Sequence, residues 1–215
     1  GPIDTQEWMA VCGHLGVAPG DLLRGLLDQG LAIAHEDGWD LVHGMLREAL
    51  HERAKTANRW ATLQMACAHV LGIGSCDPTR LGRHLLASGT TERAIPELMA
   101  GLEADMRSGN LARAEETAHQ IQQALSDPAT PVSTLATAAL QRARLARLRG
   151  RIHAATRELL WCDDAIDSAA HPRLAALAAT EAALIAYRAG DLQQVIDRSG
   201  DGELLAREVE AVDLV

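Results

Sequence analysis

Four cysteines and nine histidines are the side chains of this 215-residue chain best equipped for chemistry. Cys67 and His69 lie two positions apart, and Cys76 and His84 follow, so the donor types of a zinc site are present. Their spacing argues against one. Residues two apart on a helix point to different faces, and neither a CxxC nor an HxxxH pattern occurs. A cysteine–histidine nucleophile pair needs a prepared cleft that nothing in the pattern indicates. Three of the four cysteines, Cys12, Cys67, Cys76 and Cys162, fall in apolar helical patterns and read as reduced buried thiols, which suits a cytoplasmic setting. No GxxxxGK[ST] motif is present, and Gly72-Ile73-Gly74-Ser75 lacks the lysine that would reach a phosphate. The expectation is a chain that is not an enzyme, with no catalytic residues, no cofactor and no metal.

Charge offers a different chemistry. Arg142, Arg144, Arg147, Arg149 and Arg151 crowd one stretch, and no acidic residue occurs from 128 to 157. Arg144, Arg147 and Arg151 can share a helix face. Arg142, Arg144, Arg147 and Arg151 are therefore candidate partner-binding residues. The rib could hold an acidic protein partner or the acidic N-terminal part of the same chain. Equally, it could be a solvated face pairing with Glu158, Asp163 or Asp164 on the next helix. Trp161 and Tyr187 either line a groove or fill the core.

These residues must be positioned by helices. The chain is rich in Ala and Leu, has no Phe, and carries only Trp8, Trp39, Trp60, Trp161 and Tyr187 as aromatics. Such a composition suits thin helices in close contact and suits a β-sandwich poorly. Asp4 and Glu7 form a capping-box pattern for a helix through His14. Asp21 opens a second helix bearing Leu22, Leu23, Leu26 and Leu27. Asp37-Gly38 then sits between two short alternating runs, where Gly would supply the positive φ of a hairpin turn. Helix, helix and hairpin make the back part of a winged helix. From Met45 onward apolar residues recur at helical spacing. Trp39, His43 and Arg47 mark this junction as the place for a conformational switch, with Leu46 and Leu50 beginning the next core.

Helices are expected over 43–55, 56–71, 77–88, 91–108, 110–126, 132–149, 151–169, 172–189 and 191–198, with a loop at 72–75 and a tail from Gly200 that is either a short helix or frayed. A repeat runs through them. Gly89, Gly109 and Gly150 are each followed five residues later by Ala94, Ala114 and Ala155; Gly190 is followed by Val195. A Gly that closes one helix in the left-handed region, with a small residue one turn into the next, defines a tight helical hairpin. Hairpins that bury their faces on one another make a solenoid.

Residues 22–54 resemble the end of the winged-helix domain in STAND-class signal-transduction ATPases. The resemblance rests on Leu22-Leu23, Leu26-Leu27, Gly30-Leu31, Asp37-Gly38, His43 and Arg47-Glu48-Ala49-Leu50. Residues 56–198 are similar to the tetratricopeptide-like sensor arm of maltose-regulator-type LuxR-family activators and of ATPase-linked bacterial kinases, through Leu85-Leu86-Ala87-Ser88-Gly89 and Arg93-Ala94-Ile95-Pro96. The resemblance implies that the nucleotide site lies elsewhere. Separately, Gly1-Pro2 matches a tag-removal remnant, and if it is one, the expectation is a segment cut from a longer chain.

The expected fold is all-α, a tetratricopeptide-like helical-hairpin superhelix over 46–215, preceded by a partial winged helix over 1–45 with one β-hairpin. The expected function is a regulatory sensor arm that binds a protein partner or small-molecule inducer and docks on other domains of the same protein. A constitutive scaffold and a nucleic-acid-binding regulator using Arg142–Arg151 are the alternatives. The net charge is −9. Residues 1–50 carry eight acids and two arginines, which opposes binding to DNA through that part. No apolar run reaches the length of a membrane span.

Overall fold

In a computed structural model, which describes residues 3–36, 38–74 and 76–213, the N-terminal hairpin belongs to a three-stranded antiparallel sheet. The strands are β1 (Ile3–Asp4), β2 (Ala32–Ala34) and β3 (Gly38–Leu41), in the order β1-β3-β2. Strand β1 is too short to show any alternation, so it is absent from the sequence reading. It pairs Ile3 with Trp39 and Asp4 with Gly38. That pairing changes the account of the expected Asp37-Gly38 turn. Asp37 lies outside the described residues, and Gly38 is the first residue of β3 without a positive φ. A Cβ at position 38 would run into the Ile3 carbonyl oxygen. Gly38 is there for close strand approach rather than for the turn.

Between β1 and β2 run α1 (Thr5–His14) and α2 (Pro19–Asp28). Asp4 caps α1, its carboxylate accepting from the Glu7 backbone N–H at 2.8 Å. The reciprocal half of the capping box is replaced. The Glu7 carboxylate takes both terminal nitrogens of Arg80, 73 residues away, one of them at 2.7 Å. Helix α2 starts two residues before the expected Asp21 because Pro19 occupies its first turn, where a missing N–H costs nothing.

Helix α3 (Gly44–Thr56) departs from expectation: none of its residues is buried. Of the two residues expected to begin the next core, Leu50 is 47 % exposed and Leu46 is only half-buried. The helix is tied at its two ends. Arg47 lies 3.5 Å from Asp40 at one end. At the other, His51 and Lys55 flank the Trp60 ring, with His51 edge-on at 4.9 Å. A left-handed Asn58 (φ 52°) then breaks the chain before α4 (Trp60–Ile73), which runs on into the expected 72–75 loop. Next come α5 (Pro78–Ala87) and α6 (Thr91–Arg107), followed by α7 (Leu111–Ala124), α8 (Val132–Leu148), α9 (Ile152–Ala165), α10 (Pro172–Ala189) and α11 (Leu192–Asp213).

By internal packing the chain forms two units, Gly1–Leu98 and Met99–Val215. The first has a small core of Ala68, Leu85 and Ala94, overlaid by Met65, Leu81 and Leu86. The second centres on Ala139, Ala143, Ala155, Leu159, Cys162, Ala178 and Ile185.

Gly89, Gly109, Gly150 and Gly190 all adopt the left-handed region, with φ of 86°, 78°, 74° and 80°. At each, the glycine N–H and the next N–H return to the preceding helix: Gly150 to Arg147 O at 2.9 Å and Arg151 to Ala146 O at 2.8 Å, for example. This is the Schellman arrangement, and the residue after Gly immediately starts the next helix. Ala94, Ala114 and Ala155 are each fully buried. Val195, the departure from the pattern, is only half-buried.

Residues 191–213 also correct the sequence reading, which ends a helix at Arg198. Helix α11 passes straight through Gly200 and Gly202. Gly202 is buried against α10, where a Cβ would sit 3.6 Å from both Ala179 Cβ and Thr180 Oγ1. A Cβ there would make ordinary van der Waals contact, and the helix passes through the position unbroken. Gly150→Ala, with open space around it but a positive φ, should destabilise by about 1 kcal/mol, whereas Gly200→Ala, helical and exposed, should stabilise by a few tenths to about 1 kcal/mol. Urea unfolding of the two variants checks the opposite signs.

Candidate functional site

Helix α8 lies at the centre of the second unit, and the arginine rib radiates from its C-terminal half instead of forming one free face. Arg142 donates to Glu158 on α9 at 2.8 Å. Arg144 approaches Glu103 on α6 at 3.9 Å. Arg147 grips Glu181 on α10 through Nε and Nη2. Arg149 and Arg151, at the joint after α8, both hold Glu115 on α7. The Arg147–Glu181 and Arg149–Glu115 pairs each span 34 residues, and Arg198–Asp163 spans 35. The pairing with Glu158 is the one the solvated-face reading names. The other partners depend on packing, which spacing along the chain does not reveal.

The pairs differ in burial. Arg147 and Glu181 side chains are 12 % and 9 % exposed, so this pair sits within the core, whereas Arg151 is 58 % exposed. A buried guanidinium without its carboxylate is costly, while an exposed pair contributes little. Arg149 and Arg151 together hold the Glu115 carboxyl below its usual pKa, hydrogen bonding to Arg149 being the main cause.

Between α7 and α9, with α8 beneath, lies an open groove of about 480 Å³. Its apolar end is made by Leu125, Leu135 and the indole of Trp161, which is 42 % exposed. Gln122 and the Arg142–Glu158 pair occupy the middle, and a second stretch of about 400 Å³ continues past Ala154 to His119, Glu115 and Arg151. Helix α9 presents two stripes. Ala155, Leu159 and Cys162 go inward, while Ala154, Glu158 and Trp161 line the groove. The 4-3 and 4-3 spacings were both in the sequence, but an aromatic residue on a second stripe gives no sign of which stripe faces water. Arg157, one turn before Trp161, lines the apolar end, is exposed, and has no carboxylate partner among the described residues. Tyr187 is 65 % exposed and lies outside this groove.

At the junction in the first unit, Trp39 is 3 % exposed and packs edge-to-face on Trp8, ring centroids 5.3 Å apart. Its indole N–H and that of Trp8 find no acceptor among the described residues. His43 is the N-cap residue of α3, exposed, without a side-chain capping bond. Arg47 and His35 share Asp40, each at 3.5 Å. Trp39, Asp40, His43 and Arg47 are neighbours along the β3–α3 connection.

Of the candidate zinc donors, the two histidines have other partners. His69 stacks on His14 at 4.4 Å between ring centroids, and His84 Nδ1 meets Gln64 Oε1 at 2.7 Å. Burial lowers the His84 pKa, with Arg80 adding to the effect. Among the described residues no three His, Cys, Asp or Glu side chains converge as a metal would require, and no helix is long and apolar enough to cross a membrane. All four cysteines are free thiols. Cys162, fully buried, has its pKa pushed up to about 11 by desolvation, with Glu158 and Asp163 adding to it.

Arg147→Ala should lower stability by about 3 kcal/mol and Arg151→Ala by less than about 1 kcal/mol. Replacing the pair together, Arg147→Met with Glu181→Leu, should recover most of the loss; chemical denaturation of the four proteins measures this. For the thiols, with a pKa near 11 only about one Cys162 in a thousand is ionised at pH 8. Maleimide labelling of native protein followed by peptide mapping should therefore find Cys162 modified last. No family model matches the chain, and no curated protein or solved structure matches it either.

Proposed function

We propose that this chain is a non-enzymatic regulatory arm, a tetratricopeptide-like solenoid that binds a ligand in the α7–α9 groove and belongs to a larger signalling ATPase or transcription regulator. The observation that carries the reading is Trp161. A tryptophan 42 % exposed at the apolar end of a groove, in a chain with only five aromatic residues, supports a binding role. Repeated hairpins support it, because stacked helical pairs present such concave surfaces side by side. The strand order β1-β3-β2 with two helices inserted between β1 and β2 supports a winged-helix-like head. In this reading the exposed α3, with Trp39, His43 and Arg47 at its root, is the element that docks on another domain.

The arginine rib, whose charges are matched by carboxylates of the same unit, gives the nucleic-acid reading no support. A screen of peptides and small molecules by shift in tryptophan emission tests the proposal. The expected result is a ligand that moves the emission of the native protein and raises its melting temperature, with both effects lost in Trp161→Ala. A ligand whose effects survive that substitution unchanged binds elsewhere and removes the groove from the proposal.

A further inference from the structure

We infer that the α7–α9 groove takes an acidic peptide segment with an apolar anchor side chain; this rests on the groove being the binding site proposed above. Shape comes first. Small-molecule pockets enclose most of their ligand, whereas this is an open trough continuing from Leu125 and Trp161 past Arg142 to His119 and Arg151. A trough along two helices can follow a chain and leave one side of it in water.

Charge then selects the kind of chain. The whole protein carries −9. The groove is lined by three arginines, Arg142, Arg151 and Arg157, against two glutamates, Glu115 and Glu158. Both glutamates already accept from arginine, Glu158 from Arg142 and Glu115 from Arg149 and Arg151. Arg157 is left with its guanidinium free for a ligand carboxylate, where a bidentate pair would form. A basic segment would meet an unpaired like charge instead.

Anchoring is the third element. Trp161 lies one helical turn beyond Arg157, facing Leu125 and Leu135. An apolar or aromatic side chain placed there covers the exposed indole, and an Asp or Glu a few positions away on the ligand reaches Arg157. The ligand signature is therefore an acid adjacent to a Leu, Met, Phe or Trp.

Selection of random dodecapeptides on the immobilised full chain, followed by anisotropy titration of labelled winners, tests this directly. Enriched sequences should combine Asp or Glu with a large apolar residue. Arg157→Glu and Trp161→Ala should each weaken them at least about tenfold, while a peptide with its acid changed to Lys should regain affinity for Arg157→Glu. Tyr187→Ala, outside the groove, should bind as the native chain does, and circular dichroism verifies that each variant is folded. Enrichment of basic or uncharged peptides that still depend on Trp161 overturns the acidic-ligand inference and leaves the groove as a binding site. Binding that ignores both Trp161 and Arg157 overturns the inference together with the groove itself.

Discussion

The helix-to-helix joint at glycine governs this architecture. At four joints a helix ends in a left-handed glycine whose N–H, with the next N–H, closes the last turn, and a new helix begins at once. A joint of this kind leaves no slack, so the two helices it connects are antiparallel and adjacent by geometry. What lies against the joint must then be small. At three of the four positions it is an alanine with no exposure, and the helices can approach to nearly backbone contact. Small-residue packing of that sort explains how a chain with so few aromatics builds a core. Much of its apolar burial comes from Ala at close range, supplemented by single Leu and Ile residues.

Close helices bring a second constraint. Side chains long enough to leave such an interface must find partners on neighbouring hairpins, and the arginines of α8 do so on α6, α7, α9 and α10. Two of these pairs, Arg147–Glu181 and Arg149–Glu115, join residues 34 apart. Charge is thus used as a stagger between hairpins, and in the Arg147–Glu181 pair it is buried enough to be part of the core. The groove exists because α7 and α9 both pack on α8, leaving between them a trough whose floor is the Arg142–Glu158 pair.

What could be read from the sequence follows from range. The glycine–alanine interval is local, set by one helix end and one helix start, and it identified the joints and the buried alanines. Asp4 as a cap and Pro78 and Pro172 as helix openings are equally local. Pairing of Ile3 with Trp39 joins residues far apart through a strand of two, and no short-range pattern announces it. For the same reason the closeness of Gly38 to Ile3, an element distant in sequence, was not visible. The arginine rib was visible as composition, but its partners were not. Trp161 was visible as an aromatic, yet its exposure depends on which of two equally spaced stripes of α9 the core selects.

Helix α3 has an energetic consequence of its own. A helix of thirteen residues is marginal in water without tertiary support, and α3 buries no side chain. Its opening free energy is therefore set by its own hydrogen bonds and a few contacts at its ends, while the sheet and helices α4 to α6 on either side are held by packed interiors. Its backbone amides will trade hydrogen with solvent far sooner than theirs, while α1 stays joined directly to α4 and α5 through His14–His69 and Glu7–Arg80. Covering α3 with another surface would supply the tertiary support it lacks and shift its local helix–coil balance toward helix.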